Sequence, residues 1–288
     1  MASSVRPRRS VLYMPGSNAR ALEKAKTLAA DGLILDLEDA VAPDAKAIAR
    51  QQVTDAVKGG GYGARELIIR VNGLDTPWAR DDLAAAAAAG PDAILIPKVE
   101  SAAMVAEAEA LIAAAPAHTT LWVMMETPRG ILRAEEIAGA SPRLAALVLG
   151  TSDLAKDTHA HHTALRLPFL YSLSVCVLAA RANNLTVLDG VYLDLKDNDG
   201  FVAACRQGLE LGFDGKTLIH PDQLAGANEV FAPTAAQVAQ ARKIVAAYEA
   251  AEAEGKGVVV VDGRLVEKLH VVEAQRQIAL ADAIAAMG

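Results

Sequence analysis

Glu126 follows the apolar run Leu121–Met125, and Asp153 follows the run Ala146–Gly150. The two acids lie one strand–helix–strand unit apart, so adjacent parallel strands would set them side by side. No His or Cys ligand stands near either. Two oxygen donors of this kind suit Mg2+, which keeps several waters and takes substrate oxygens, whereas zinc wants more nitrogen or sulfur. Asp153 has a second reading, as the N-cap of the helix that follows. After Glu126, the stretch Thr127-Pro128-Arg129-Gly130 reads as a helix start whose free N–H groups would receive a carboxylate or phosphate, making Arg129 and Gly130 substrate-binding candidates. A metal beside an anion-holding helix start suits a 2-oxo or 2-hydroxy acid, chelated through its carboxylate and the neighbouring oxygen, so Glu126 belongs to the substrate site as well as to the metal. Arg70 ends a third apolar run and could clamp such an anion. It could equally pair with the acidic cluster Asp36, Glu38 and Asp39, and both roles can hold together.

These residues need elements that converge. Short apolar runs recur between helical patterns: Ser10–Met14, Leu33–Leu37, Leu67–Val71, Ala93–Pro97, Leu121–Met125, Ala146–Gly150, Thr186–Gly190 and Lys216–His220. Strands alternating with helices imply a mostly parallel sheet, and eight such units a closed (β/α)8 TIM barrel. The runs exit in Pro15-Gly16, Glu38-Asp39, Arg70 and Asn72, Lys98, Glu126-Thr127, Ser152-Asp153, Asp189 and His220-Pro221. In a barrel these C-terminal ends share one mouth, where active sites lie. Alanine-rich runs such as Asp81–Gly90 and Val105–Ala115 read as helices packed tightly on the sheet.

The chain has 288 residues, 52% of them hydrophobic, enough for one barrel of roughly 250 residues or two smaller domains. A net charge of −7 leaves no footprint for nucleic acid. No run approaches the ~18 apolar residues of a membrane span. The start, MASSVRPRRS, lacks the apolar stretch of a signal peptide. Cys176 and Cys205 fit no metal or redox spacing and read as reduced core thiols of a cytoplasmic protein. Thr158–His162 (THAHH) reads as a polar surface loop, because no second ligand set accompanies it. The glycines at 59, 60, 61 and 63 lack the Lys-Ser/Thr of a P-loop, and no Gly-x-Gly-x-x-Gly follows the first strand.

The segments RRSVLYMPGSNARALEKA, LILDLEDAVAPDAK, IIRVNGLDTPW, LIPKVES, METPRGIL, LGTSDLA and GFDGKTLIHPDQ together resemble the CitE-like, citrate lyase beta-subunit-like branch of the HpcH/HpaI aldolase superfamily. The resemblance runs from about Arg9 to the C-terminus. It implies a (β/α)8 barrel over residues 1–232 and a C-terminal helical segment, 233–288, that packs on a neighbouring subunit of a homotrimer or trimer-based hexamer. It also implies Mg2+ dependence and reversible carbon–carbon cleavage of a short 3-hydroxyacyl-CoA of the malyl, citramalyl or citryl type, giving an acyl-CoA such as acetyl-CoA and a 2-oxo acid. Glu126 and Asp153 match the family's metal ligands, and Arg70 its substrate-binding arginine. Tyr13, Arg20 and Lys24 fall where relatives contact the CoA-bearing substrate. Asp36, Glu38 and Asp39 match an acidic strand-end motif expected to orient metal-bound waters and Arg70. In the stretch Gly257–Ala274, Glu267 stands where the family places the aspartate that moves the proton at the acetyl carbon; glutamate can do that chemistry with a longer reach. Three rivals remain: a citrate lyase beta subunit working on a carrier-protein thioester, a CoA-free metal-dependent aldolase, and a non-catalytic acyl-CoA-binding barrel.

Overall fold

The computed structural model describes residues 5–287. They divide into two compact units, one spanning Arg8–Phe231 and the other containing residues 5–7 and 232–287.

The first unit is a closed barrel of eight parallel strands: β1 (Ser10–Pro15), β2 (Gly32–Asp36), β3 (Glu66–Arg70), β4 (Ala93–Ile96), β5 (Thr120–Met125), β6 (Leu144–Leu149), β7 (Thr186–Asp189) and β8 (Gly215–Leu218). Each predicted run is a strand, displaced by at most two residues at either end. β8 pairs back onto β1 through Ser10↔Lys216 and Leu12↔Leu218, so no strand edge is left unpaired.

Alternation along each strand decides which residues serve the core and which the mouth. Val11, Ile34, Ile68, Leu95, Trp122, Met124, Ala146, Val148 and Leu188 form one buried cluster inside the barrel. Leu12, Leu33, Leu35, Ile69, Ile94, Val123, Leu147 and Val187 point the other way, into a larger cluster shared with the helices. Both faces are buried, which is why the strands read as continuous apolar runs rather than as alternating ones. Two residues beyond the interior positions Val11, Ile34, Ile68 and Met124 come Tyr13, Asp36, Arg70 and Glu126, at the upper rim.

The same parity corrects one expectation. Leu188 faces inward, so Asp189, although it ends β7, faces the helix layer and not the mouth. It is fully buried against Lys216 (2.9 Å) and Arg166 (2.7 Å), themselves buried. Burial works against its ionisation, but the two cations hold its carboxyl below the usual carboxylate range. The cluster ties β7, β8 and the segment before the helix Leu170–Ala182 together. Cys176 and Cys205 are buried core thiols, as expected, with burial pushing Cys176 up to about 12. Thr158–His162 ends one helix and enters an exposed loop.

The second unit holds the helix Ala235–Ala253, capped by a Thr234/Gln237 capping box, and the helix Lys268–Ala285. Between them lies an antiparallel hairpin, β9 (Val259–Val261) and β10 (Arg264–Val266), that the expected all-helical segment did not include. Its signal is in the sequence: Asp262-Gly263, with φ of 49° and 77°, is the Asp-Gly pair that two-residue primed hairpin turns require. Tyr248, Val261, Val266 and Val271 form its small core.

Replacing Asp189 by alanine would leave two buried cations uncompensated. Asp189→Ala is expected to lower unfolding free energy by about 3–5 kcal/mol, read as a fall in the urea midpoint, while Asp197→Ala, at an exposed helix cap, shifts it by about 1 kcal/mol.

Candidate active site

A cavity of about 330 Å3 opens at the C-terminal mouth, lined by Tyr13, Asp36, Asp39, Arg70, Glu126 and Asp153 among the residues expected there. Its apolar wall includes Val191 and Ile219, which sequence reasoning did not single out because nothing in their type marks them.

Strand register assembles the charged wall. Asp36 and Arg70 are paired residues of β2 and β3, and Arg70 grips Asp36 with two hydrogen bonds of 2.7 Å, from Nε and Nη2. The Tyr13 ring lies under the guanidinium, 4.7 Å from it, and Met124 Sδ is 3.6 Å from Nη1. Arg70 therefore forms the ion pair that its neighbours suggested, while its edge still faces the cavity. Burial opposes its charge, yet Asp36 and the other acids hold it well above the ordinary value. Asp36 is held below the usual range for the converse reason, its pairing with Arg70 outweighing its burial. Glu38 does not line the cavity. It binds the Lys98 ammonium, and its Oε2 lies 2.9 Å from Arg70 Nη1 without hydrogen-bond alignment, so this buried oxygen has no hydrogen-bond partner. Burial raises its carboxyl despite both cations. The loop carrying these acids is fixed from below by Lys46, whose ammonium donates to the Leu37 and Glu38 carbonyls, each at 2.8 Å.

Glu126 and Asp153 come from adjacent strand ends. Met125 pairs with Leu149, so Glu126 stands beside Gly150, and any Cβ at Gly150 would collide with the Glu126 side chain. Glu126 Oε1 accepts from the Lys98 backbone N–H at 2.8 Å. Burial, reinforced by the charge of Glu38, pushes its carboxyl up to about 7. Asp153 does not cap the helix Thr151–Thr158; Gly150 is the N-cap, and Asp153 sits in the first turn, partly exposed. No side chain caps this helix, and Thr151, Ser152 and Asp153 line the cavity, so its first amides open toward a ligand.

The start of that helix, and not of the one after Glu126, borders the cavity. The helix Pro128–Leu132 is only five residues long, and its Gly130 N–H is spent on Thr127 Oγ1 at 3.0 Å. Gly130 is needed because a Cβ there would collide with the Val99 carbonyl. Arg129 is exposed and 3.5 Å from Glu100; neither residue lines the cavity. Arg20 and Lys24 stand four apart on the helix Ala19–Ala25, both exposed, a cationic stripe outside the cavity. Glu267 belongs to the second unit, exposed at the N-cap of Lys268–Ala285, with its N–H donating to His270 Nδ1 at 3.0 Å.

The residues present fit a magnesium ion. Four carboxylates (Asp36, Asp39, Glu126 and Asp153) line the cavity beside a single lining cation, Arg70; Lys98, Lys46 and Lys156 stand around them, yet Glu38 and Glu126 are held above their ordinary values. Among the described residues no three or more His, Cys, Asp or Glu side chains form a metal cluster. Two carboxylates, with other positions left to water and substrate, match magnesium and not a closed zinc site.

An acid raised from 4.5 to about 7 keeps its proton longer in the folded chain than in the unfolded one. Its contribution to stability is therefore undiminished below pH 4.5 and declines as pH rises toward 7. Urea midpoints of the wild-type protein in EDTA are expected to fall over this window by more than those of Glu126→Gln, and equal slopes would refute the assignment.

The family model described as HpcH/HpaI aldolase/citrate lyase matches residues 9–221. Over 288 residues the chain is 53% identical to a (3S)-malyl-CoA thioesterase of Cereibacter sphaeroides, covering 100% of this chain and 99% of that protein. It is 39% identical to an L-malyl-CoA/beta-methylmalyl-CoA lyase of the same species, covering 99% and 98%. Among solved structures, CitE of Mycobacterium tuberculosis in complex with magnesium, acetoacetate and coenzyme A is similar with a TM-score of 0.76 and 28% identity, over 97% of this chain and 100% of that one. With the closed barrel and its acidic mouth, these likenesses place the chain in the HpcH/HpaI aldolase/citrate lyase family.

Proposed function

We propose that this chain is a magnesium-dependent enzyme that cleaves a carbon–carbon bond in a short 3-hydroxyacyl-CoA, releasing an acyl-CoA such as acetyl-CoA and a 2-oxo acid. The observation that carries the reading is the pairing of Glu126 and Asp153 at one cavity whose carboxylates outnumber its cations. Magnesium bound there would supply Lewis-acid polarisation of the oxygen on the carbon being cleaved. Glu126 and Asp153 would hold it.

The protein's own groups divide the remaining work. The open amides at the start of Thr151–Thr158 orient the substrate carboxylate. Arg70, held rigid by Asp36 and Tyr13, steadies negative charge developing on the substrate oxygen. The hydroxyl proton passes to solvent water, a carbonyl forms at that carbon, and the electron pair of the breaking C–C bond passes to the thioester side as an enolate. Glu267 of a neighbouring subunit, in its acid form, protonates that carbon, and in the condensation direction removes a proton from it. Tyr13 stays a neutral phenol, since burial raises it far above physiological pH. Arg20 and Lys24 offer cations to CoA phosphates. Asp36 and Asp39, which line the cavity, would orient waters bound at the cation, and Glu38 would support them from behind through Lys98 and Arg70. Arg129 and Gly130 act at most as support behind Glu126, given their partners. The functional protein is a cytoplasmic homotrimer or trimer-based hexamer. No helix among the described residues is long and apolar enough to cross a membrane.

A second reading is hydrolysis of the thioester in the same class of substrate, favoured by the 53% identity to a (3S)-malyl-CoA thioesterase along the whole chain. Both reactions need the same grip on the hydroxy acid end and differ in products. Purified protein with malyl-CoA or citramalyl-CoA and MgCl2 is expected to release 2-oxo acid and acetyl-CoA, with EDTA and Glu126→Gln each lowering the rate about a hundredfold or more. Release of free CoA and hydroxy acid instead would move the assignment to hydrolysis. Glu267→Gln is expected to slow wash-in of solvent deuterium at the acetyl carbon.

A further inference from the structure

Lys98 touches both halves of the site. Its backbone N–H donates to Glu126 Oε1 at 2.8 Å, and its ammonium is ion-paired and hydrogen-bonded to Glu38. Glu38 in turn adjoins Arg70, which holds Asp36. A chain of alternating charge thus runs across the ends of β2, β3 and β4 and meets the Glu126 carboxylate through one residue. Lys98 achieves this with φ of 52°, the left-handed region that a residue with a Cβ enters rarely and that glycine would occupy without cost. A lysine kept where a bare turn would take glycine points to a use for its side chain. The side chain is 38% exposed, yet it is pinned, and its charge is felt by Glu126 and Asp153 as well as by Glu38.

We propose that Lys98 is a positioning residue that couples the two acidic clusters. Its amide reserves one oxygen of Glu126 and leaves the other for the cation. Its ammonium holds the Glu38–Arg70–Asp36 chain in place and, as a resident positive charge, limits how tightly the mouth grips a divalent ion. With the ion bound, the same ammonium adds to the positive field that an anionic substrate enters. This rests on reading Glu126 and Asp153 as the magnesium ligands.

The test is calorimetric titration of substrate-free protein with MgCl2, beside steady-state kinetics. Lys98→Met keeps the stem and the amide and removes the charge. It is expected to bind Mg2+ roughly threefold to tenfold more tightly, the scale for losing one like charge that water largely screens, as it does a side chain 38% exposed, while KM for the hydroxyacyl-CoA rises about tenfold. Lys98→Arg is expected to return both values toward wild type. Lys98→Gly, which the left-handed backbone favours, should reproduce the metal result and serves if the methionine variant folds poorly. A merely structural lysine would lower Tm and weaken Mg2+ binding together. Unchanged or weaker Mg2+ binding in both charge-removing variants would overturn the proposal. Wild-type protein that takes up no Mg2+ would overturn the magnesium reading itself, and this proposal with it.

Discussion

Arg70 and Asp36 face each other across two paired strands, joined by two short hydrogen bonds and nearly sealed from water. An ion pair so buried gains little net stability over well-packed apolar residues, because each charge has lost its hydration; breaking it is what costs heavily. Its value here is geometric. The bidentate grip fixes the plane of the guanidinium, and the Tyr13 ring beneath it at 4.7 Å removes the remaining freedom to tilt. Everything on the charged wall is measured from that plane: Glu38 reaches it from one side, Met124 from below, and the cavity lies along its open edge. A mobile arginine could neutralise an anion. A held one can favour one arrangement of charge over another, and that difference is what lowers a barrier.

The alternation of side chains along a strand separates two kinds of buried acid. Asp189 and Glu126 occupy similar places in the chain, each at or just past a strand end and each almost without exposure. Asp189 falls on the outward parity, meets Lys216 and Arg166, and is stabilised as an anion. Glu126 falls on the inward parity, receives one backbone N–H, and lies within the field of Glu38, so burial and like charge raise its carboxyl. The first acid is satisfied by the chain itself. The second is left short of positive charge, as a ligand for an incoming cation has to be.

Most of the fold is legible in the sequence because both faces of each strand are buried: between helical patterns, a short unbroken apolar run such as LILDL or LWVMM fits little besides a strand covered on both sides. Glu126, Asp153 and Arg70 are legible because strand exits in a barrel share one mouth. The sequence is less informative wherever a one-residue step decides direction. Asp189 reads as a mouth residue from its place at a strand exit, and only the inward-facing Leu188 turns it away. Two helix starts lie after strand exits, and the more suggestive one, Pro-Arg-Gly, is not the one that lines the cavity; there Thr127 already takes the Gly130 amide. Lys98 shows only as a strand exit, since a left-handed φ at a lysine leaves no mark in composition or period. The hairpin at Asp262-Gly263 has a readable turn, but the alanine-rich helices on either side mask a pair of three-residue strands.

An acid excess at the mouth also ties ligand binding to stability. Glu38 keeps a buried oxygen with no hydrogen-bond partner, and Glu126 is ionised only against its surroundings. Both are costs that the fold carries, offset by the packed barrel below. A divalent cation at Glu126 and Asp153 would relieve the Glu126 cost directly, by favouring its charged form, and the Glu38 cost indirectly, by adding positive field near the Lys98 link. Binding energy released in that way appears as folding stability, with protons displaced from the acids as the ion enters. Pairing Glu126 with a second lysine would stabilise its charged form and remove the shortage of positive charge that suits this mouth to a cation. The acids of the mouth are therefore left partly uncompensated by the chain itself, which is the condition a cation site needs.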